Sequence, residues 1–160
     1  MNITAKSRYA LKIMMDLAVN EEHGHQQRQS IALRQSVPLD FMDQITSRLR
    51  AAGLVESIRG RSGGFQLAKS PADISMWAIF EAVEDSLYPV KCLDHEKCEL
   101  EASCISSSAW NDILSVLKTE LMKKSLFDVV AKWKLKKKPL KEQTSAHPSV
   151  VSCSRPHLER

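Results

Sequence analysis

The sequence predicts a mainly α-helical protein that carries one small β-hairpin. Apolar residues recur at three- and four-residue spacing in several segments, which is the periodicity of helices with one buried face. Two short extended runs, 54–58 and 65–68, flank the glycine-containing stretch 59–64, which is typical of a hairpin. With 160 residues, of which 43% are hydrophobic and 26% charged, the chain has the composition of a globular domain with accessory segments.

Two helices are predicted at the start of the sequence. Thr4 can cap a helix that runs to about Val19, because its side-chain oxygen can accept from the free backbone N–H groups of a first turn. A polar break follows, and a short second helix fits 29–35. Ile31 and Leu33 are the apolar content of that second helix.

A third helix is predicted after a short turn. Pro38 pre-sets the backbone for a helix start, Asp40 and Asp43 resemble a capping arrangement, and Gly53 ends the helix. Two helices joined by a short turn, with a polar free face on the second, are typical of a helix-turn-helix.

The hairpin that follows has a cationic tip. Gly63 and Gly64 can take positive backbone dihedrals, and Arg59 and Arg61 suit phosphate oxygens or a narrow minor groove. An ordinary surface hairpin with two arginines is the alternative. Directly after a helix-turn-helix, however, such a hairpin is the wing of a winged helix, which indicates DNA binding.

The predicted DNA contacts lie on the second helix, the third helix and the wing. Gln44 suits an adenine edge, Asp43 can accept from cytosine or reject other bases, and Arg48 suits a phosphate. The full predicted set is Ser30, Asp40, Phe41, Asp43, Gln44, Ser47, Arg48, Arg59, Gly60, Arg61, Gly63 and Gly64.

Three further helices are predicted beyond the wing. Ser75 can cap the first of them. The second carries an apolar stripe broad enough to need a partner, which is either the core of the same chain or a second copy. That stripe consists of Trp110, Ile113, Leu114, Leu117 and Leu121. Ser125 then starts a last short helix through Trp133.

The segment 134–160 differs in character from the rest of the chain. It is rich in lysine at first and then contains serine and proline with little apolar periodicity, so it is predicted to be a disordered basic tail. Its lysines either attract DNA without sequence preference or form a solvated charge run. Cys153 within it is interpreted as incidental.

The sequence also bears on location. No apolar run approaches the roughly 20 residues needed to span a bilayer, and the start of the chain lacks the order of a secretory signal. A cytoplasmic protein without membrane contact is therefore expected. In that compartment thiols stay reduced, so cysteines are metal ligands or reactive thiols more often than disulfides.

Three cysteines, Cys92, Cys98 and Cys104, stand at equal spacing in a charged segment. Zinc sites and common ferredoxin loops bring their ligands in closer pairs, so this spacing suits a loop around something larger than one ion. Thiolates are the soft ligands that iron–sulfur clusters require. Free thiols, a regulatory disulfide, and zinc with His95 as a fourth ligand are the alternatives.

Three stretches of the chain together carry a family resemblance. They are "ITAKSRYAL", then "RQSVPLDFMDQITSRLRAAGLVESIRGRSGGFQLAKS", and "CLDHEKCELEASC". They resemble the bacterial winged-helix regulators that include IscR, the iron–sulfur cluster assembly regulator, and NsrR, the nitric oxide sensor. The resemblance implies a homodimeric transcription regulator whose third helix and wing bind a double-stranded DNA operator. It also implies an iron–sulfur cluster on the three cysteines, with 2Fe-2S favoured and 4Fe-4S possible.

The resemblance implies a division of the chain into four segments. They are a winged helix-turn-helix DNA-binding domain at 1–86, a cluster-binding loop at 87–106, a dimerisation helix with a final short helix at 107–133, and the tail at 134–160.

The chain departs from its relatives at the fourth cluster ligand. Ser107 stands where IscR-type proteins have a histidine, and Arg8 stands where NsrR-type proteins have an acidic residue. Serine is a poor ligand because its hydroxyl is hard to deprotonate, so Ser107 and His95 remain open as candidates, as do a loop carboxylate and an external thiol. Asp43 replaces the glutamate of IscR and shortens the reach of that side chain.

The function expected from these features is transcription regulation, with control of iron–sulfur cluster biogenesis genes according to cluster or iron status. A nitric oxide or iron-responsive repressor of the same family is the alternative, followed by a zinc-stabilised regulator or a small redox protein. No nucleophile, base and orienting residue converge in the sequence, and "GRSGG" lacks the lysine of a phosphate loop. An enzyme is therefore not expected.

Overall fold

The computed structural model describes residues 4–60, 63–90, 93 and 104–137, except the side chain of Lys137. These residues form six helices and one antiparallel hairpin, together with two single 3₁₀ turns. In chain order the elements are α1 (Ala5–Val19), α2 (Arg28–Gln35), α3 (Leu39–Ala51), β1 (Val55–Ile58), β2 (Gly64–Leu67), α4 (Met76–Val83), α5 (Ser107–Lys123) and α6 (Leu126–Lys137). The predicted class, mainly helical with a small hairpin, is confirmed.

Helix α1 lies at the centre of the core and packs against α3, α4 and α6. Thr4 caps it as predicted, because its hydroxyl oxygen accepts from the backbone N–H of Lys6 at 3.0 Å. Its buried face carries Ile13, Met14 and Leu17. Burial of side chains of this size is the main source of the stability of the fold.

A buried carboxylate joins α1 to α2. Asp16 has only 3% of its surface exposed, and its two oxygens accept from Arg34 at 3.0 and 2.6 Å and from the amide of Gln35 at 2.8 Å. The hydrogen bond to Asp16 raises the pKa of Arg34, so the guanidinium stays charged. These bonds fix α2, the first helix of the helix-turn-helix, against the core.

The turn between α2 and α3 consists of residues 36–38 and ends at Pro38, where the sequence predicted a helix start. Ser36 adopts a left-handed conformation with φ of +51°, and its N–H closes the end of α2 on the carbonyls of Ala32 and Leu33. Of the two apolar residues noted in the predicted second helix, Ile31 is fully buried, whereas 85% of the surface of Leu33 is exposed. The exposed Leu33 therefore adds nothing to the core on which α2 rests.

The start of α3 differs from the prediction. The helix begins after Pro38 without a side-chain cap, so the capping arrangement of Asp40 and Asp43 is wrong. Asp43 is paired with Arg28 instead. Gly53, with φ of +66°, follows the end of the helix as predicted.

The wing consists of β1 and β2, with Val55 opposite Leu67 and Ile58 opposite Gly64. A third segment joins it, because the N–H and carbonyl of Gln26 bond to Phe65 at 2.8 and 2.9 Å. The polar stretch before α2 is therefore attached to the wing, which the sequence did not indicate.

The glycines of the wing serve purposes other than those predicted. Of the described glycines in the wing, only Gly60 has a positive φ, of +122°, so the positive dihedrals predicted for Gly63 and Gly64 are wrong. A Cβ atom at Gly64 would clash with the backbone carbonyl of Gln26, and one at Gly63 with that of Ile58. Glycine is required at both positions because neighbouring backbone lies too close for a side chain.

The last three helices complete the fold. Ser75 caps α4 through the N–H of Ala78 at 3.1 Å, and α6 buries Leu126 and Val130. Helix α5 packs against α4 without burying any residue fully. Helix α6 runs to Lys137, so 134–137 is helical and not part of a disordered tail, while 138–160 lies outside the described residues. Within the described ranges, no helix is long and apolar enough to cross a membrane.

Candidate nucleic-acid interface and cysteine segment

Helix α3 is amphipathic, and its polar face is exposed. Met42, Ile45 and Leu49 are fully buried, which turns the opposite side of the helix to solvent. Ser30 at the start of α2 is half-buried. The predicted DNA contacts exposed on α3 are Asp40, Phe41, Asp43, Gln44 and Ser47. These side chains are therefore accessible to solvent, and their contacts with DNA stay predictions.

The wing stands beside α3 and presents a cationic side chain. Arg59 and Gly60 are exposed, Gly63 and Gly64 are half-buried, and Arg61 lies outside the described residues. Side chains of α3 and β1 line an open groove between the two elements: Ser47, Arg50, Ala51, Val55, Glu56 and Ser57. Arg50 was not predicted as a site residue, although its exposed cation on α3 next to Ser47 was readable in the sequence.

Arg28 approaches the exposed face of α3 from the first turn of α2. One of its terminal nitrogens, Nη1, donates to both carboxylate oxygens of Asp43, at 2.7 and 2.5 Å. Both side chains remain partly in solvent, with 41% of Arg28 and 56% of Asp43 exposed. Arg28 was not among the predicted site residues, because nothing local in the sequence relates it to a residue on another helix.

Two of the predicted DNA contacts also hold α3 in place. The Nη1 atom of Arg48 donates to the carbonyl of Val83 and to the carboxylate of Asp85, both at 2.9 Å. The ring of Phe41 meets the ring of Tyr9 edge to face, with centroids 5.4 Å apart. Arg48 is therefore an anchor between α3 and the end of α4, and its predicted contact with phosphate would compete with these bonds.

Two carboxylates at the end of α4 connect three helices. Oε1 of Glu84 accepts from the hydroxyls of Thr4 and Ser7 at 2.7 and 2.6 Å and from their N–H groups at 3.1 and 3.2 Å. Asp85 accepts from Lys6 at 2.9 Å as well as from Arg48. In the sequence this junction lies shortly before the cysteine segment, with Asp85 seven residues ahead of Cys92. Sequence patterns could not show it, because Glu84 caps a helix 77 to 80 residues away.

The Glu84 bonds predict a pH dependence of stability. Burial raises the pKa of Glu84, but its hydrogen bonds to Ser7 and Thr4 lower it more, so the pKa lies below the usual 4.5. A carboxylate whose pKa is lower in the folded state stabilises the fold above its unfolded pKa and loses that effect as pH falls through its folded pKa. We expect Glu84→Gln to be less stable than the parent protein at pH 6, and the gap to close below pH ~4.

Thermal unfolding of both proteins between pH 3 and pH 6 measures this effect. Glu81→Gln is the matched control, since it removes an exposed carboxylate from the same helix and should leave the pH profile unchanged. A gap between parent and Glu84→Gln that is constant across this range would contradict the assignment.

The cysteine segment is described only at its end. Cys104 is half-buried, and its sulfur shares a hydrogen bond with the hydroxyl of Ser106 at 3.5 Å. That bond lowers the pKa of the Cys104 thiol and favours the thiolate, which is the form that binds metals. Ser107, one candidate for a fourth ligand, is the first residue of α5, and its N–H donates to the carbonyl of Cys104 at 3.2 Å.

The other predicted ligands, Cys92, Cys98 and His95, lie outside the described residues. Among the residues that the structure does describe, no three histidine, cysteine or acidic side chains come together as a metal site. The donor chemistry nevertheless fits an iron–sulfur cluster at Cys104, because a partly exposed thiol with a lowered pKa is a suitable soft ligand. The predicted ligand set as a whole stays a prediction.

Comparison with known proteins gives consistent matches over most of the chain. Residues 3–132 match the model of the Rrf2 family, described as iron-dependent transcriptional regulators. The transcriptional regulator IscR of Aliivibrio salmonicida is 36% identical over 115 residues, which cover 72% of this chain and 68% of that protein. Among solved structures, IscR of T. potens aligns with a TM-score of 0.70 and 27% identity, covering 87% of this chain and 93% of that one. CymR of B. subtilis, described as the global cysteine regulator, aligns with a TM-score of 0.64 and 30% identity, covering 82% and 98%.

Proposed function

The chain belongs to the Rrf2 family of iron-dependent transcriptional regulators, and from this premise we propose that it binds a duplex operator as a homodimer and carries an iron–sulfur cluster. The family resemblance read from the sequence is thereby confirmed. The chain is a transcription regulator with a winged helix and not an enzyme, because its relatives are regulators. Binding to DNA would place the protein in the cytoplasm.

The observation that carries the DNA-binding proposal is the exposed polar face of α3 next to the cationic wing. An α-helix of this kind fits the major groove, where an amide such as that of Gln44 can bond to adenine. Arg59 on the wing then lies where it can reach the phosphate backbone or the minor groove. The contacts of α3 are proposed to select sequence, and those of the wing to add affinity for any duplex.

Replacement of Arg59 tests this division of roles. Loss of one phosphate contact removes the counterion release that accompanies it, so Arg59→Ala should weaken binding to all duplexes alike. The slope of log K against log salt concentration should become shallower by about 1. Titration of a labelled duplex at several salt concentrations measures both effects.

Lys132→Ala is the matched control for this experiment. Lys132 is an exposed cation on α6, which packs against α1, so its loss changes the net charge equally without touching the proposed interface. We expect its affinity and salt slope to equal those of the parent protein. An Arg59→Ala variant with an unchanged slope would exclude the wing from DNA binding.

The homodimer is supported by the surface of α5. Ile113 and Val116, three residues apart on one side of the helix, are 49 and 65% exposed, although a helix that serves only its own core keeps such residues covered. A second copy of α5 would cover them. Dimerisation would also place two α3 helices on one face of a duplex, as symmetric operators require.

The cofactor proposal rests on the cysteines and on the family. Cys92, Cys98 and Cys104 would hold the cluster, 2Fe-2S in preference to 4Fe-4S, and either Ser107 or His95 would complete it. When bound, the cluster supplies sensitivity to iron supply and to oxidants. The proposed target genes are those of iron–sulfur cluster biogenesis, because the chain resembles IscR.

The junction at Glu84 and Asp85 supports communication between the cysteine segment and the DNA-binding face. Asp85 holds Arg48 on α3, while Glu84 holds the start of α1. A change in the chain that follows Asp85 would act on the position of α3 through Arg48. Switches of this kind act by local electrostatic contacts with effects elsewhere in the protein.

A further inference from the structure

The proposed recognition helix carries a negative charge on the face that would meet DNA, and that charge is already paired. Arg28 donates to both oxygens of Asp43 from the neighbouring helix. An unpaired carboxylate in the major groove can accept from cytosine, and it opposes the acceptor edges of the other bases and the phosphates. The pairing with Arg28 therefore changes which bases the Asp43 carboxylate can accept from or repel.

We infer that Arg28 is a specificity-determining residue, which holds the Asp43 carboxylate away from the bases so that the operator position facing Asp43 is read weakly. This inference rests on the proposed function, since it assumes that α3 enters the major groove. Arg28 itself is not proposed to contact a base. It is a positioning residue, because it acts by holding the carboxylate of Asp43. Selection by α3 would then depend on Gln44 and its other exposed side chains.

The backbone of Arg28 is held on both sides, so its guanidinium starts from a fixed point. It is the first residue of α2, and Gln26, two residues earlier, is bonded to Phe65 of the wing in both directions. At the other end of α2, Arg34 is bonded to the buried Asp16. Helix α2 is thus fixed to the wing and to α1, which keeps Arg28 within reach of Asp43.

The pair is exposed, so water and salt screen it, and its effect on stability is small. This matters for the experiment, because Arg28→Ala should fold like the parent protein. The pair is expected to affect the choice of DNA sequence instead. An unpaired carboxylate and one neutralised by an arginine differ strongly in the bases that they can face. Arg28→Lys, which keeps the charge on a single ammonium, is a second variant with the same purpose.

The test is selection of duplexes from a random library, followed by competition binding, with the parent protein, Arg28→Ala, Arg28→Lys, Asp43→Ala and the double variant Arg28→Ala/Asp43→Ala. The parent should tolerate several bases at the position facing Asp43. Arg28→Ala should gain a preference for cytosine there of about tenfold, the size of a good base contact. Its affinity for duplexes with other bases should fall, and Arg28→Lys should lie between the two.

The double variant distinguishes the inference from a simple loss of charge. If the cytosine preference comes from the released carboxylate, removing Asp43 as well should abolish it, and the two substitutions should not be additive. Gln29→Ala, which changes the adjacent exposed residue of α2, should select the same sequences as the parent.

Two results would overturn the inference. One is an identical base profile for the parent and Arg28→Ala while both bind duplex DNA. The other is a large change of profile for Asp43→Ala while Arg28 is intact, since Asp43 would then contact bases despite the pair. Failure of the proposed function looks different, because the parent protein would then show no salt-sensitive binding to any duplex, and the inference would fall with it.

Discussion

Replacing Ile113 and Val116 together by aspartate is expected to make the protein monomeric and to weaken its binding to a palindromic operator by about a hundredfold or more. Both side chains lie on α5 with about half or more of their surface in solvent. In the proposed dimer they would be covered by the second copy, where two carboxylates without partners are costly. A monomer binds each half-site separately and loses the gain from linking them.

Sedimentation measures the mass, and titration of full and half operators measures the loss of linkage. Ser108→Asp/Ser115→Asp adds the same charge at two exposed polar positions of α5 and should remain dimeric with the parent affinity. The thermal unfolding of the Ile113/Val116 variant reports on the protomer, whose core contains neither residue. A variant that keeps its dimeric mass would show that α5 is not the dimer interface.

The features of the fold that the sequence predicted correctly are local ones. Thr4 and Ser75 cap helices through bonds that span two or three residues, so their roles can be read from position and type alone. The three- and four-residue apolar spacing that indicates helices with one buried face is also local, and Ile13 on α1, Ile45 on α3 and Ile79 on α4 are fully buried. Gly53 marked the end of α3 for the same reason, since a left-handed residue after a helix is a local requirement.

The predictions that failed depended on residues distant in the chain. Asp43 was expected to take part in capping α3, yet its carboxylate accepts from Arg28, 15 residues earlier in the chain, and α3 has no side-chain cap. Glu84 caps α1 from the far end of the domain. Such contacts arise only when helices pack, and no pattern in a single segment records them.

The wing shows a second limit of sequence reasoning. Glycine was correctly expected at a tight hairpin, but two physical reasons for glycine look alike in a sequence. Gly60 is needed for its positive φ, whereas Gly64 is needed because the carbonyl of Gln26 occupies the space of a Cβ atom. The pairing of Gln26 with Phe65 decides between these reasons, and it joins segments 39 residues apart by number.

The candidate site was predicted in part. The exposed side of α3 and the cation of the wing follow from amphipathic spacing and from composition. The role of Arg48 as an anchor of α3 could not be predicted in this way, because its bonds to Val83 and Asp85 depend on how α4 ends against α3. The spacing of the cysteines can be read directly from the sequence. The predicted ligand set can therefore be tested by substitution, without knowing how the cysteine segment folds.

The second prediction with a large expected effect concerns cluster binding by Cys92, Cys98 and Cys104. Purified without oxygen, the parent protein is expected to contain iron and acid-labile sulfide in about equal amounts, and Cys104→Ala to lose nearly all of both. Three thiolates are already fewer than the four ligands that most clusters have, so the loss of one leaves too few to retain iron. Visible absorption together with iron and sulfide analysis measures the result.

Cys153→Ala is the matched control, since it removes a thiol of the tail and should leave iron and sulfide unchanged. Ser107→Ala and His95→Ala then address the fourth ligand, because only the residue that contributes a bond should lower cluster retention when it is removed. Ser107 stands three residues after Cys104, at the start of α5, and His95 stands three residues from both Cys92 and Cys98, so chain distance allows either residue. A colourless parent protein that contains zinc would instead assign the three thiols to a structural metal site.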